Sequence, residues 1–306
     1  MNKKLALVIL KVVFSLMIIT YYGYSQTSNA PINYFGQTPP GTTPIIFAPG
    51  IISLDDRFEG RAAFSPDGKE FYFTVTNEKF SGQKILFCKY MNGKWTRPDT
   101  PSFSKTYSNH EPFFSFDGKK LYFTSDRDSR TKDNKRDLFY VNRLNDGWSE
   151  PIKLNPPINS DYRELYFCQS RNGTVYFASN RPGGNGSSDI YFITSNKGKY
   201  DILQNLGSKI NKGYTVDPCI SPDESYIIFA SMRGWFKWNT DLYISFKKDG
   251  TWTEPVAMRD FINTGADEYA PFLSPDGNYL FFVRHDGKRC DIYWVDASVI
   301  NKYRNN

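Results

Sequence analysis

Short apolar segments rich in aromatic residues alternate with polar turns along most of the chain, and the alternation has a fixed period. One recurring phrase is an apolar residue followed by Ser-Pro-Asp-Gly, and an aromatic or aliphatic segment comes after it. In one copy Phe replaces the Pro, and another copy lacks the Gly. Its copies begin at Phe64, Phe114, Ile220 and Leu273, with a degenerate copy at Arg171. Residues 44–295 show no helical 3.6-residue periodicity. The pattern predicts an all-β chain.

Two further phrases keep the same period of roughly 50 residues. Asp followed by Leu or Ile and an aromatic residue recurs at Asp137, Asp189, Asp241 and Asp291, and Trp-x-x-Pro recurs at Trp95, Trp148 and Trp252. A period of about 40–50 residues with short strands is typical of β-propeller blades. The Asp-Gly dipeptide suits the turn after the first strand, and the Trp-x-x-Pro segment suits an outermost strand, where proline's missing N–H costs little. Residues 44–300 are therefore predicted to form a five-bladed β-propeller of four-stranded antiparallel blades.

The closure of the ring can also be predicted from the sequence. The fifth repeat ends near Val295 without a Trp-x-x-Pro strand, and the segment from Pro44 to Ser53 resembles the segments after Pro151 and Pro255. We therefore expect the N-terminal strand to supply the outer strand of the last blade, which would remove two free sheet edges. The alternative is an open stack of hairpins.

The first 25 residues have the layout of a signal peptide. Lys3, Lys4 and Lys11 precede the apolar run from Val12 to Thr20. An uncleaved membrane anchor is the alternative, in which Lys11 inside the span would cost about 3 kcal/mol. We predict a periplasmic or cell-surface protein with a signal peptide at 1–25 and a flexible lead-in at 26–43, touching membrane only if the first segment is not cleaved.

Charge and cysteine content narrow the function classes. Removal of residues 1–25 takes away three lysines, so the net charge falls from +6 to +3, which gives little support to nucleic-acid binding. The four cysteines lack metal-site spacing. Cys168 and Cys219 fall at equivalent points of neighbouring blades, which are usually too far apart for a disulfide. We expect four buried thiols, with that disulfide as the alternative.

The phrases resemble the PD40 repeat, the WD40-like repeat of TolB-type propellers, over residues 44–296. The stretch from Ser179 to Gly184 with Asp189-Ile190-Tyr191 is similar to the propellers of OmpA-linked envelope proteins of Bacteroidota. The resemblance implies a bacterial envelope protein with a binding or scaffolding role. The sequence departs from that group because it carries no OmpA-type domain, so we expect the propeller itself to contact the partner.

Candidate catalytic groups are few. The sequence has only two histidines and lacks a Gly-x-Ser-x-Gly or His-Glu-x-x-His motif. If the protein is an enzyme, His110, Glu111, Glu164 and Asp217 at the starts of inner strands are its candidate acids and bases. Asp126-x-Asp128 only loosely resembles a calcium loop, and we expect neither a metal site nor a cofactor.

Arginines recur at the end of the ring opposite the Asp-Gly turns. Arg127, Arg181 and Arg233 each follow the Phe of a second strand by four residues, and acids begin the nearby inner strands. One interpretation is repeat-encoded pairs that hold loops in place. The other is a polar mouth that binds an anionic or glycan ligand, with His110 and His285 at its rim.

The irregular residues favour binding. Trp235 and Trp238 share the loop 233–239 with Phe236, and tryptophans anchor interfaces and stack on sugars. A glycine-rich loop at 182–188 could approach a ligand closely. We predict a non-catalytic binding or scaffold protein that contacts an envelope protein or a glycan through this mouth, including an extended protein tail in the channel. The alternative is a polysaccharide lyase or hydrolase.

Overall fold

A computed structural model describes residues 31–128, 135–196, 199–232, 239–259 and 261–304. The predicted signal peptide, 1–25, lies outside these ranges, as do Arg233, Trp235 and Trp238. All contacts given below lie within the compact unit that begins at Asn33. In the described ranges, no helix is long and apolar enough to cross a bilayer.

The described ranges contain 23 strands and two 3-10 helices, numbered here in chain order. The first strands are β1 (Ile45–Ile46), β2 (Phe58–Phe64), β3 (Glu70–Thr76), β4 (Lys84–Met91), β5 (Lys94–Trp95), β6 (Asn109–Phe114), β7 (Lys120–Ser125), β8 (Asp137–Asn142) and β9 (Ile152–Lys153). The next are β10 (Glu164–Gln169), β11 (Val175–Ser179), β12 (Gly186–Ile193), β13 (Ser195–Asn196), β14 (Lys199–Tyr200) and β15 (Gln204–Asn205). The last are β16 (Gly213–Ile220), β17 (Tyr226–Met232), β18 (Asp241–Lys248), β19 (Thr251–Trp252), β20 (Val256–Ala257), β21 (Asp267–Leu273), β22 (Tyr279–His285) and β23 (Cys290–Asp296). The helices are η1 (Ser102–Ser104) and η2 (Ala297–Tyr303).

Each sequence repeat contributes three consecutive antiparallel strands. These triplets are β2-β3-β4, β6-β7-β8, β10-β11-β12, β16-β17-β18 and β21-β22-β23. Short strands pair at the outer edge of each third strand, namely β5, β9, β15, β19 with β20, and β1. The outer strands β5 and β19 end at the Trp of Trp-x-x-Pro, as the sequence predicts. The all-β, antiparallel prediction is confirmed.

The N-terminal strand pairs with the last long strand. Ile45 lies opposite Trp294, and the Phe47 N–H donates to the Ile292 carbonyl at 2.8 Å. Part of the predicted flexible lead-in is packed as well: Tyr34 is buried, and its hydroxyl donates to Asp276 at 2.9 Å. The first and last repeats therefore share one packed region.

Aromatic side chains fill the space between neighbouring triplets. The Tyr122 ring of β7 stacks on Phe167 of β10 with centroids 4.0 Å apart. Trp148, from the second repeat's Trp-x-x-Pro phrase, donates its Nε1–H to the Tyr72 hydroxyl of β3 at 2.9 Å. The high aromatic content of the sequence is thus used in contacts between sheets, where each large ring buries much apolar area.

Two repeated phrases form local bonds that define the sheets. In the turns, the Ser hydroxyl donates to the Asp two residues later, as Ser65 does to Asp67 at 2.6 Å. The second phrase is Ile158-Asn159-Ser160, which follows the outer strand of the second repeat. Its Asn159 side chain accepts from the Leu138 N–H and donates to the Leu138 carbonyl, both at 2.8 Å. Asn211 and Asn263 do the same to Ile190 and Leu242. These side chains hold the returning segment against the third strand.

Candidate functional site

The innermost strand of every repeat carries a β-bulge at the same place. Each of these strands contacts the inner strand of the next repeat, and β21 also contacts β2. The ladder between the first and second strands skips two residues in each repeat. The first skipped residue has φ between 52° and 61° in four repeats: Glu111, Tyr166, Asp217 and Ala270. The second skipped residue is Pro in three repeats. Because this position is not paired with the neighbouring strand, proline's lack of an N–H costs no ladder hydrogen bond.

The bulges bring Arg61, Glu111 and Asp217 close together, and we call these three residues the axial site. They are 1%, 6% and 2% exposed. The Arg61 Nη2 donates to the Pro218 carbonyl at 3.2 Å. Arg61 Nε and Nη1, Glu111 Oε2 and Asp217 Oδ1 are buried and have no hydrogen-bond partner among the described protein atoms. Such groups usually receive water or a ligand.

Burial changes the protonation of the two carboxyls. It raises the pKa of Glu111 to about 7, an effect that Arg61 and Arg136 oppose. It also raises the pKa of Asp217 well above the usual range, and the neighbouring Glu111 adds to that rise. Arg61 acts in the opposite direction on both carboxyls, which places all three groups within electrostatic reach of one another.

We call the region formed by the axial site, Tyr166 and Tyr269 the lumen, and the end of the repeats opposite the Asp-Gly turns the mouth. Tyr166 and Tyr269, in the middle of inner strands, keep an intermediate exposure, so solvent reaches them. The pKa of each phenol is raised well above its usual range, first by burial and further by Asp217 and Glu111.

His110 joins the axial site to two arginines nearer the mouth. Its Nε2 lies 3.3 Å from Nη1 of Arg136, and its Nδ1 lies 3.6 Å from Oε1 of Glu111. Because arginine only donates, Nε2 accepts and the proton of a neutral imidazole lies on Nδ1. Burial, followed by Arg136, holds the pKa of His110 well below its usual range. Arg163 also lies here, and its buried Nε lacks a partner among the described residues.

Glu164 belongs to a different cluster from His110, Glu111 and Asp217. Its Oε1 accepts hydrogen bonds from Ser160, Ser179 and Arg181 at 2.6, 2.9 and 2.9 Å. The Arg181 Nη2 also donates to the Ile158 carbonyl at 2.6 Å. We call this arrangement the arginine clamp, because it ties a second strand, an inner strand and the preceding turn together.

The clamp recurs in other repeats. Arg284 donates to Glu268 at 2.8 Å and to the Ile262 carbonyl at 2.9 Å. Arg127 donates to Asn109 at 2.8 Å and to the Phe103 carbonyl at 3.1 Å. Arg127 and Arg181, both candidate ligand-binding residues, thus direct their donors into the chain, which favours the loop-holding interpretation for them.

The remaining candidates are dispersed. His285 packs against Phe58 and Phe80, with ring centroids 5.3 and 5.5 Å away, and its Nδ1 lies 3.8 Å from Asp267. The glycine-rich loop approaches the chain's own backbone: a Cβ on Gly186 would lie 1.8 Å from the Gly213 carbonyl oxygen. All four cysteines are buried free thiols. Among the described residues, no cluster of three or more His, Cys, Asp or Glu is arranged to hold a metal.

A separate cavity of about 540 Å³ opens at the Asp-Gly end of the first two repeats. Its basic lining residues are Lys69, Lys89, Lys119 and Arg143. Arg143 binds Glu70 through two hydrogen bonds of 3.2 and 2.6 Å. None of the candidate catalytic or ligand-binding residues lines this cavity.

Sequence reasoning missed Arg61, Arg136, Arg163 and the lumen tyrosines. A signal for Arg61 existed, because it stands between Gly60 and two alanines where three other repeats have Pro. An arginine amid small inner-strand residues is unusual for a core. The bulge obscured this signal, since it changes which residues face the axis.

No family model and no curated protein matches the chain. A solved structure described as TolB from Agrobacterium tumefaciens is similar at 18% identity and a TM-score of 0.50, covering 78% of this chain and 77% of that one. A Dyadobacter fermentans protein of unknown function matches at 12% identity and a TM-score of 0.49, covering 82% and 96%. An α-L-arabinofuranosidase from Lactobacillus brevis matches at 13% identity and a TM-score of 0.48, covering 80% and 91%. The first likeness shows that the chain has a TolB-type β-propeller fold.

Proposed function

We propose that this chain is an exported binding or scaffold protein of the bacterial envelope, without catalytic activity, that contacts a protein or a glycan through its mouth. In this proposal it is a five-bladed propeller of PD40 repeats, related to the envelope propellers of Bacteroidota and closed by β1. The signal-peptide layout of residues 1–25 supports export to the periplasm or cell surface.

The observation that carries the binding role is the set of unpartnered polar atoms along the lumen. Arg61, Glu111, Asp217 and Arg163 each present a buried atom without a partner among the described residues. A protein core normally satisfies such atoms, because each one left unpaired costs about 1–3 kcal/mol. A polar group of a ligand that enters from the mouth would supply the missing partners.

Exposed aromatic side chains at the mouth support a macromolecular partner. Phe80, Tyr107, Tyr162 and Phe261 are 39%, 46%, 43% and 65% exposed, and all lie in loops at this end. Aromatic rings are favoured anchors of protein interfaces and stack on sugars. Trp235 and Trp238, which lie outside the described residues, stay predicted members of the binding surface.

Affinity capture from envelope extracts tests the proposal. We expect the Trp235→Ala/Trp238→Ala double variant and the Arg163→Ala variant each to recover at least tenfold less of the wild-type partner. Lys119→Ala, at the opposite end of the repeat, should recover it fully. Equal recovery by all variants would refute binding through the mouth.

The alternative is a polysaccharide lyase or glycoside hydrolase. The raised pKa of Glu111, beside a second carboxyl on Asp217, is what a general acid requires. Glu164 supports this less, because four donors of the clamp and its serines occupy its carboxylate. Reducing-end and unsaturated-product assays over a panel of glycans should stay flat. Turnover that Glu111→Gln abolishes would favour the enzyme.

A further inference from the structure

The lumen carries an excess of positive charge. Arg61, Arg136 and Arg163 supply three guanidinium groups, and Glu111 and Asp217 supply two carboxyls. The sum is +1 when both carboxyls are ionised and +3 when both are protonated. Asp126, which also acts on His110, lowers each sum by one, so an excess of positive charge remains whenever Glu111 or Asp217 is protonated. An anionic group would then balance the charge in this poorly solvated space.

The donors without partners are placed to receive such an anion. Arg61 has two such nitrogens, Nε and Nη1, and Arg163 has Nε. Arg61 is 1% exposed, so a hydrogen bond to its guanidinium would be shielded from water. The planar guanidinium with adjacent N–H groups matches the two oxygens of a carboxylate.

The exposure of the lumen residues favours a slender ligand. Tyr166 and Tyr269 are partly exposed, whereas Glu111 and Asp217 are almost fully covered. An extended chain ending in a carboxylate can pass such a constriction more easily than a sugar ring bearing a carboxylate. The phenols and carboxyls along the wall offer both donors and acceptors to a peptide backbone.

We propose that the lumen binds the carboxyl terminus of an extended peptide segment of the partner. The terminal carboxylate binds Arg61, while Arg136 and Arg163 lie at the entrance. This inference rests on the proposed function and specifies the group that the mouth binds. It assigns Arg61 a role that the clamp arginines do not have, since their donors already bind groups of the chain.

Two pools of N-acetylated, sequence-randomised hexapeptides test the inference, one with free carboxyl termini and one amidated. After equilibrium dialysis against the full chain, mass spectrometry measures the retained peptides. We expect at least tenfold greater retention of free-acid peptides than of their amidated counterparts. Arg61→Gln should abolish the difference, Arg61→Lys should keep part of it, and Lys119→Ala should leave it unchanged.

Thermal unfolding of each variant separates loss of binding from loss of fold. If Arg61→Gln does not fold, the comparison of free-acid and amidated pools on the wild type still decides the inference. Equal retention of both pools would overturn it, and so would Arg61-dependent binding of oligogalacturonate without any peptide retention. Either result combined with mouth-dependent capture of an envelope partner would leave the proposed function standing.

Discussion

Nη2 of Arg181 lies 2.9 Å from Oε1 of Glu164, and this pair is buried, with side chains 13% and 0% exposed. Removal of one member leaves the other charge without its partner in a poorly solvated place, which costs about 3–5 kcal/mol. We expect Arg181→Met to lower the free energy of unfolding, measured by urea denaturation, by about 3 kcal/mol.

The exposed pair of Asp55 and Arg289 provides the control for the clamp. The Asp55 side chain is 86% exposed, so Asp55→Asn should change stability by less than about 1 kcal/mol. Equal effects of the two substitutions would show that the clamp does not hold the sheets.

Glu111 should make stability depend on pH. Its pKa in the folded chain, about 7, exceeds its ordinary value of 4.5, so between these values the folded state holds a proton that the unfolded state releases. The unfolding free energy of the wild type relative to Glu111→Gln should therefore fall as pH rises through this window. The slope should reach about 1.4 kcal/mol per pH unit.

Denaturant titrations at half-unit pH steps measure this difference. Comparison of the two proteins cancels groups that do not interact with Glu111, such as Glu59, whose pKa burial raises to about 8. A difference that is constant with pH would contradict the placement of Glu111 in a buried site.

His110 should stay neutral in the folded protein. Its pKa is held well below its ordinary value of 6.5, so NMR should show no protonation of its imidazole with a midpoint near 6.5. The unfolded chain takes up a proton on this residue below about pH 6.5, and the folded chain does not. The wild type should therefore lose stability relative to His110→Gln on acidification. A titration midpoint near 6.5 in the folded state would be incompatible with the buried contact to Arg136.

Gly186 should not tolerate a side chain. A Cβ there would lie 1.8 Å from a backbone oxygen of Gly213, so the parallel contact between β12 and β16 would have to move. We expect Gly186→Ala to lower the unfolding free energy by about 3 kcal/mol or to prevent folding. Gly265→Ala is the matched control, because its Cβ would meet no atom within 4 Å. Near-identical melting temperatures of both variants would contradict the close approach.

Most of the fold could be predicted because the repeated phrases correspond to specific bonds. The Ser-to-Asp turn and the Asn that bridges Leu138 are local devices, so their residues recur wherever the bond recurs. The axial site could be predicted only in part. His110, Glu111 and Asp217 stand out as polar residues at strand starts, but Arg61 comes from a repeat of different sequence. The proximity of Arg61 to Glu111 depends on how separate sheets are arranged, and no local sequence pattern encodes that arrangement.

The pairing of Ile45–Ile46 with Tyr293–Trp294 also bears on how the protein is made. The two partners lie at opposite ends of the described chain, so this ladder cannot form until nearly all of the described chain has been synthesised. Contacts of such long sequence separation slow folding, because loop closure must precede them. Until then an apolar flank of the first triplets stays uncovered, which makes this interval the stage at which chaperones matter most to the yield of folded protein.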